Sequence, residues 1–184
     1  MLSTEEKARR KRARMIEKTR EYSLGTYSRK FVAVDFQRVI RAEAGAEPAG
    51  FSDAVVAGVI AGVFRRVGEC VCVTCGKVLP WKNHGGTAGG LDTGHFIAGR
   101  GASIVFEETN AHPQCVGCNQ HRSGEQANYT TWMLHVYGQD EIDRLRRLKH
   151  TPRQFTREEL VDMRIEFGER LKAAEESMKH KEVP

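Results

Sequence analysis

Residues 72–76 read Cys72-Val-Thr-Cys75-Gly76, and residues 115–119 read Cys115-Val-Gly-Cys118-Asn119. In each pair two residues separate the cysteines, the spacing at which one tight turn aims both sulfurs at a single ion. The glycine after Cys75 permits the backbone that such a turn needs. Two pairs complete the tetrahedral four-thiolate shell that a structural zinc prefers. Disulfides and a redox Cys-x-x-Cys are the other readings; a reducing compartment disfavours the first and two matching pairs disfavour the second. The 39 residues between the pairs exceed the spacing of an ordinary zinc ribbon, so this insert carries structure of its own. Cys70 is left over as a spectator. An ion held from two distant points would pin the ends of the insert together, and chelation is expected to unfold it.

Outside the cysteines, composition narrows the class. The chain has 184 residues, enough for one domain with appendages. No run approaches the ~20 apolar residues of a membrane span. The charged N-terminus does not resemble an export signal, so the expected location is the cytoplasm, that of a bacterial host if the chain is phage-encoded. The net charge is +5, which suits a polyanionic partner. Residues 1–20 hold eight Lys and Arg, including Arg9, Arg10 and Arg12, against three Glu, and so account for the whole excess. This segment reads either as a solvated basic helix or as a phosphate-contacting arm.

The pattern predicts a helix over residues 4–22, capped by Ser3 or Thr4 with Glu5 and Glu6 in its first turn. A second is expected over 33–44, with Phe36, Val39 and Ile40 on one face. A third is expected over 52–67, where Val55, Val56, Val59, Ile60 and Val63 form an apolar stripe. From Cys70 to Gly124 glycine becomes frequent and helical periodicity disappears. Strand-like runs at 95–97 and 103–106 flank Gly99-Arg100-Gly101, which reads as a hairpin turn. The loop from Gly85 to Gly90 is too irregular for a phosphate-binding P-loop. Helix resumes from Asn119 to Tyr137, then over 139–149. Thr156-x-x-Glu159 is a capping box opening a last helix to about Lys179.

The insert carries Asp92-Thr-Gly94-His95-Phe96-Ile97, then Val105-Phe106-Glu107-Glu108-Thr109-Asn110. The segment Gln114-Cys115-x-x-Cys118-Asn119-Gln120-His121-Arg122-Ser123-Gly124 follows. A histidine on a strand, an asparagine five residues before the second cysteine pair and a polar residue directly after that pair resemble the layout of HNH nucleases. With asparagine in the third position, the layout is similar to that of the phage Holliday-junction enzyme endonuclease VII. Over roughly 51–174, and most strongly over 92–138, the chain resembles the NinG/Rap family of phage recombination nucleases. The N-terminal cysteine ribbon of some members is absent here.

The resemblance implies an α+β, mostly helical fold. A zinc-stapled ββα-metal (HNH) core at 51–138 would follow a basic helical arm at 1–50 and precede a helical extension at 139–184. It implies His95 as general base, its ordinary pKa lying near 6.5. Asn110 would orient the imidazole or hold the loop, and Asn119 would offer an oxygen to a catalytic Mg2+ or Mn2+. Many HNH enzymes place an aspartate immediately before the histidine; here that position is Gly94. Asp92, on the strand face opposite His95, replaces the missing ligand if the backbone closes on the metal. His121, Glu107 and Glu108 are fallback ligands. His84 and His112 read as surface or structural, His135 and His150 as helix-face residues, and Tyr129 and Trp132 as core.

Arg100, Arg122 and the arm arginines Arg9, Arg10 and Arg12 are candidates for phosphate contact. The expected activity is metal-dependent hydrolysis of phosphodiesters in branched DNA, a Holliday junction or D-loop, during phage recombination. Symmetric junction cutting implies a homodimer. The alternatives are a less selective HNH nicking or double-strand endonuclease, and a non-catalytic zinc module that binds DNA.

Overall fold

The computed structural model describes residues 3–84, 89–99 and 101–181. Helix α1 (Thr4–Thr19) opens on Ser3, whose hydroxyl accepts from the Glu6 amide at 3.1 Å. Serine at this position satisfies one of the amides that a helix start leaves open. A short α2 (Leu24–Tyr27) leads through a wider π-turn (Ser28–Val32) into α3 (Ala33–Ala46). At the other end of the chain, α6 (Arg157–Lys181) begins on the expected capping box. The Thr156 amide donates to Glu159 at 2.7 Å, and the Glu159 amide donates to Thr156 Oγ1 at 3.1 Å.

Helices α3 and α6 pack through Val32, Phe36, Val39, Leu160, Val161 and Phe167. Helix α1 lies against them through Met15 and Ile16, so the basic arm is docked along one face. A second cluster joins α4 (Gln126–Val136) and α5 (Gly138–Lys149) to Val55, Val73, Phe96 and Ile104. A third surrounds the cysteines and draws Ala42 and Ala46 from α3 and Ala174 and Met178 from α6. The N-terminal, central and C-terminal segments thus share their apolar interiors.

Residues 52–67 depart from the expected helix. They form an antiparallel hairpin of β1 (Gly50–Val56) and β2 (Val59–Arg65), with Phe51 opposite Phe64 and Val56 opposite Val59. The turn residues Ala57 and Gly58 both have positive φ, 51° and 86°, as a two-residue hairpin turn requires. The valines that read as a helical stripe are β-branched residues folded back across this turn, and β-branching favours the strand.

Strands β3 (Glu69–Val71) and β4 (Val78–Pro80) pair around the first cysteine turn. Strand β5 (Leu91–His95) pairs with β6 (Ala111–Cys115), not with residues 103–106. Leu91 faces Cys115 and His95 faces Ala111, so the long loop between them is closed by the second cysteine turn rather than by a local hairpin. Arg100, at the expected hairpin tip, and the first four residues of the 85–90 loop lie outside the described residues. The helix expected from Asn119 to Tyr137 is interrupted. A π-turn (Gly117–His121) ends at three successive positive φ values, 50° at Ser123, 83° at Gly124 and 48° at Glu125, before α4 begins. Among the described residues, no helix is long and apolar enough to cross a membrane.

Candidate metal centre and candidate active site

The four sulfurs of Cys72, Cys75, Cys115 and Cys118 all lie within 4.8 Å of one another, and Cys75 Sγ is 3.8 Å from Cys115 Sγ. A tetrahedral zinc with bonds of about 2.3 Å would set its sulfurs about 3.8 Å apart. The first pair sits on a turn in which the Cys75 and Gly76 amides both donate to the Cys72 carbonyl, at 3.3 and 2.9 Å. Gly76 takes the left-handed φ of 73° that the turn demands. In the second pair, the Cys118 amide donates to Cys115 Sγ at 3.4 Å. The Cys72 thiol is driven far down by donation from Cys115, Cys118 and Cys75. Those three are driven up, first by their bond to Cys72 and then by burial. A dication bound among four thiols would ionise them fully. These cysteines could hold a zinc ion, and among the described residues they are the one His/Cys/Asp/Glu cluster of three or more compact enough to do so.

Cys70 stays outside the cluster. Its thiol donates to the Arg41 carbonyl at 3.2 Å, and burial pushes it up to about 12. Arg122 reaches back to the centre, donating to Cys118 Sγ at 2.7 Å while pairing with Glu125. It is therefore engaged at the sulfurs rather than offered to a phosphate. Thr74 and Gln114 brace the same region. Gln114 donates to Thr74 Oγ1 at 3.0 Å and to the Gly124 carbonyl at 2.8 Å, and Thr74 Oγ1 lies 3.4 Å from Cys72 Sγ.

A cavity of about 690 Å3 opens beside His95, with Thr93, Gln37 and Asn119 also on its wall. The His95 Nε2 is 3.2 Å from the Val105 carbonyl. A carbonyl only accepts, so this contact fixes the Nε2–H tautomer and leaves the Nδ1 lone pair free to take a proton. Burial lowers the His95 pKa, which the Val105 carbonyl partly offsets, and the neutral ring is favoured.

Asn110 is fully buried and does not reach the imidazole. Its Oδ1 accepts from the Ile97 amide at 2.8 Å and its Nδ2 donates to the Ile97 carbonyl at 3.3 Å. It clasps the chain just beyond His95, the loop-holding one of the two roles expected for it. Asn119 lies on the π-turn after the second cysteine pair, and its Nδ2 donates to Asp92 Oδ2 at 2.9 Å. Gln120 Nε2 donates to the same oxygen at 2.7 Å. Asp92 and Asn119 are thus in contact, with Asn119 on the cavity wall and Asp92 bonded to its amide. At Gly94 an added Cβ would overlap the Gln114 carboxamide, whose buried Oε1 has no hydrogen-bond partner among the described residues.

His112 is structural. The Tyr129 hydroxyl donates to the Gly94 carbonyl at 3.0 Å, so it must accept from His112 Nδ1–H at 2.9 Å. His112 Nε2 in turn accepts from Tyr137, 3.1 Å away. Burial pushes the His112 pKa down to about 3, keeping this chain neutral and fixed behind the strand. Glu107 pairs with Arg144 and Glu108 with Arg170, which commits both fallback carboxylates elsewhere.

Of the arm arginines, Arg12 makes a two-pronged pair with Asp162 of α6, at 2.6 and 2.9 Å, and Arg10 pairs with Glu6. Arg9 is exposed. Residues that local sequence did not single out also build the site. Arg29 and Arg153 line the cavity. The buried Arg41 donates to Thr93 Oγ1 at 3.2 Å, behind the wall that carries His95. Their spacing along the chain gave no local signal, because they meet the site only through the α3–α6 packing.

A family model described as Bacteriophage Lambda NinG protein matches residues 53–177. Protein ninG of Escherichia phage lambda is 30% identical over 109 residues, covering 59% of this chain and 49% of that protein. Protein ninG of Salmonella phage P22 is 29% identical over 114 residues, 61% of this chain and 52% of that protein. Protein ninG of Enterobacteria phage H19B is 32% identical over 87 residues, covering 47% and 43% respectively. The chain spans about half the length of these relatives. No solved structure matches it.

Proposed function

Because the chain belongs to the NinG family of phage lambda-like proteins, we propose that it is an HNH-type DNA endonuclease that hydrolyses phosphodiesters in branched DNA during phage recombination. The observation that carries this reading is that His95 and Asn119, the residue directly after the second cysteine pair, line one cavity. Two antiparallel strands followed by a helical turn, with a neutral imidazole at the end of the first strand, supply the parts that such hydrolysis uses.

In this reading His95 Nδ1 takes the proton of the attacking water, and the Val105 carbonyl holds the ring and its tautomer. Asn110 keeps the loop beyond His95 closed. Asp92 and Asn119 offer a carboxylate and an amide oxygen side by side. That donor set fits Mg2+ or Mn2+, which binds one or two carboxylates and completes its shell with water and phosphate oxygens. Such an ion would stabilise the charge that builds on the phosphate and the leaving oxygen. Two symmetric cuts across a four-way junction call for a two-fold homodimer, and this remains part of the proposal.

The test is cleavage of a synthetic four-way junction, a flap and a matched linear duplex, with and without Mg2+ or Mn2+. Faster cutting of the branched substrates supports the full reading. Equal cutting of all three favours a less selective endonuclease. Binding without cutting of any substrate would leave a zinc module that only binds DNA.

A further inference from the structure

We infer that Arg29 and Arg153 form a clamp that holds the phosphodiester backbone of the DNA strand presented to His95, an inference that rests on the nuclease reading above. Both guanidinium-bearing residues line the cavity that contains His95 and Asn119. Among the described residues that line it there is no aspartate or glutamate, so the cavity wall carries two fixed cations and no fixed anion. A recess of that character in a low-dielectric wall focuses positive potential and selects an anion.

Neither arginine makes a short ion pair among the described residues. Arg29 is exposed and has no ion pair among the described residues. Arg153 stacks over the Phe155 ring at 4.4 Å, an arrangement that orients the guanidinium plane and leaves its edge free. Its ion pair with Glu159 Oε1 is long, 4.0 Å, and half-exposed on both sides, while Glu159 Oε2 accepts from the Thr156 amide at 2.7 Å; a surface pair of this kind is worth little and yields to a phosphate. A guanidinium presents a planar fork of donors that matches two phosphate oxygens, which a lysine at the same place would not.

The two residues come from opposite ends of the chain. Arg29 lies on the π-turn Ser28–Val32, and Asn119 lies on the second π-turn, Gly117–His121. Such wider turns recur where a side chain must be aimed at a site. Arg153 lies on the connection between α5 and α6. The segment carrying Arg29 precedes the 53–177 match to the family model. One wall of the cavity is therefore built by a part of the chain that the family model does not describe. A strand entering between Arg29 and Arg153 would carry a phosphate on each side of the one facing His95, and the clamp would fix which bond is cut.

The experiment measures affinity for a fluorescent four-way junction by anisotropy across a salt series, using the zinc-loaded full chain with His95→Ala and without added Mg2+. Arg29→Gln and Arg153→Gln should each weaken binding about tenfold, and the double variant about a hundredfold. The slope of log K against log salt should fall by about 0.7–0.9 for each arginine removed. Arg29→Lys should keep the slope and lose part of the affinity. Lys172→Gln, exposed on α6 and paired with Glu176 away from the cavity, should change neither. A double variant that keeps its melting temperature, affinity and salt slope would overturn the clamp. Parallel cleavage assays in the His95 background and in the original chain separate the two readings. If the original chain cuts while the double arginine variant binds and cuts equally well, the clamp falls and the nuclease stands. If nothing cuts but the arginine variants still lose affinity, the clamp stands and the nuclease falls.

Discussion

Gly94 lies against the Gln114 carboxamide, and this contact decides what the residue before His95 can be. An aspartate, common at that position in HNH enzymes, would drive its Cβ into Gln114, itself held by Thr74 and Gly124. Gly94→Asp should therefore lower stability by about 1–3 kcal/mol, read from the urea midpoint, as overpacking does. Adding Gln114→Ala should recover part of that loss. An unchanged midpoint in the single variant would show that the strand has room. His95 carries the second prediction at this scale. Burial lowers its pKa, so the base form is complete at neutral pH and is lost only as pH falls through the lowered value. The acid limb of the single-turnover rate should fall below the ordinary imidazole value of about 6.5. A limb centred at or above that value would contradict the assignment. Asn110 shows how far a residue's role can be read from order alone. Its place in the sequence marked it, but only the Ile97 contacts distinguish clasping a loop from touching the imidazole.

Among the elements, local chemistry was readable where caps and simple periods ruled, and hidden where a turn folded the pattern back. The α6 capping box and the apolar face of α3 stand where the sequence predicts them. The β1–β2 hairpin does not, because valines four residues apart across a two-residue turn imitate a helical stripe. The useful signal was Gly58 among β-branched residues. Gly58 has φ of 86° and nothing within 4 Å of an added Cβ. A substitution there thus tests backbone conformation without a packing clash. Gly58→Val should cost about 1–2 kcal/mol in equilibrium unfolding, the penalty of a branched residue at left-handed φ. No loss would mean that the turn can adopt another geometry. The partner of β5 was likewise unreadable locally. Leu91 meets Cys115 across 23 intervening residues, a distant pairing that the nearby glycines did not signal.

For the whole molecule, the cysteine centre joins β3 and β4 to the start of the helical region, while α2, the π-turn Ser28–Val32, α3 and the start of α6 wall the cavity. The cysteine spacing alone indicated the first of these ties. The second needed three dimensions, since Arg29, His95 and Arg153 are remote in sequence and share one cavity. Zinc content should be one ion per chain. Its removal should melt the 70–124 region while the α3–α6 packing retains helical signal, as followed by hydrogen exchange and circular dichroism. Uniform protection after chelation would show that the four cysteines do not organise the site. The proposed function turns on His95, and the measurement that reaches it most directly is the single-turnover rate of junction cleavage at saturating zinc-loaded protein. His95→Ala should bind the junction as the original chain does and cut it on the order of 100- to 10,000-fold more slowly. Equal rates at equal occupancy would contradict the assignment of His95 as the base.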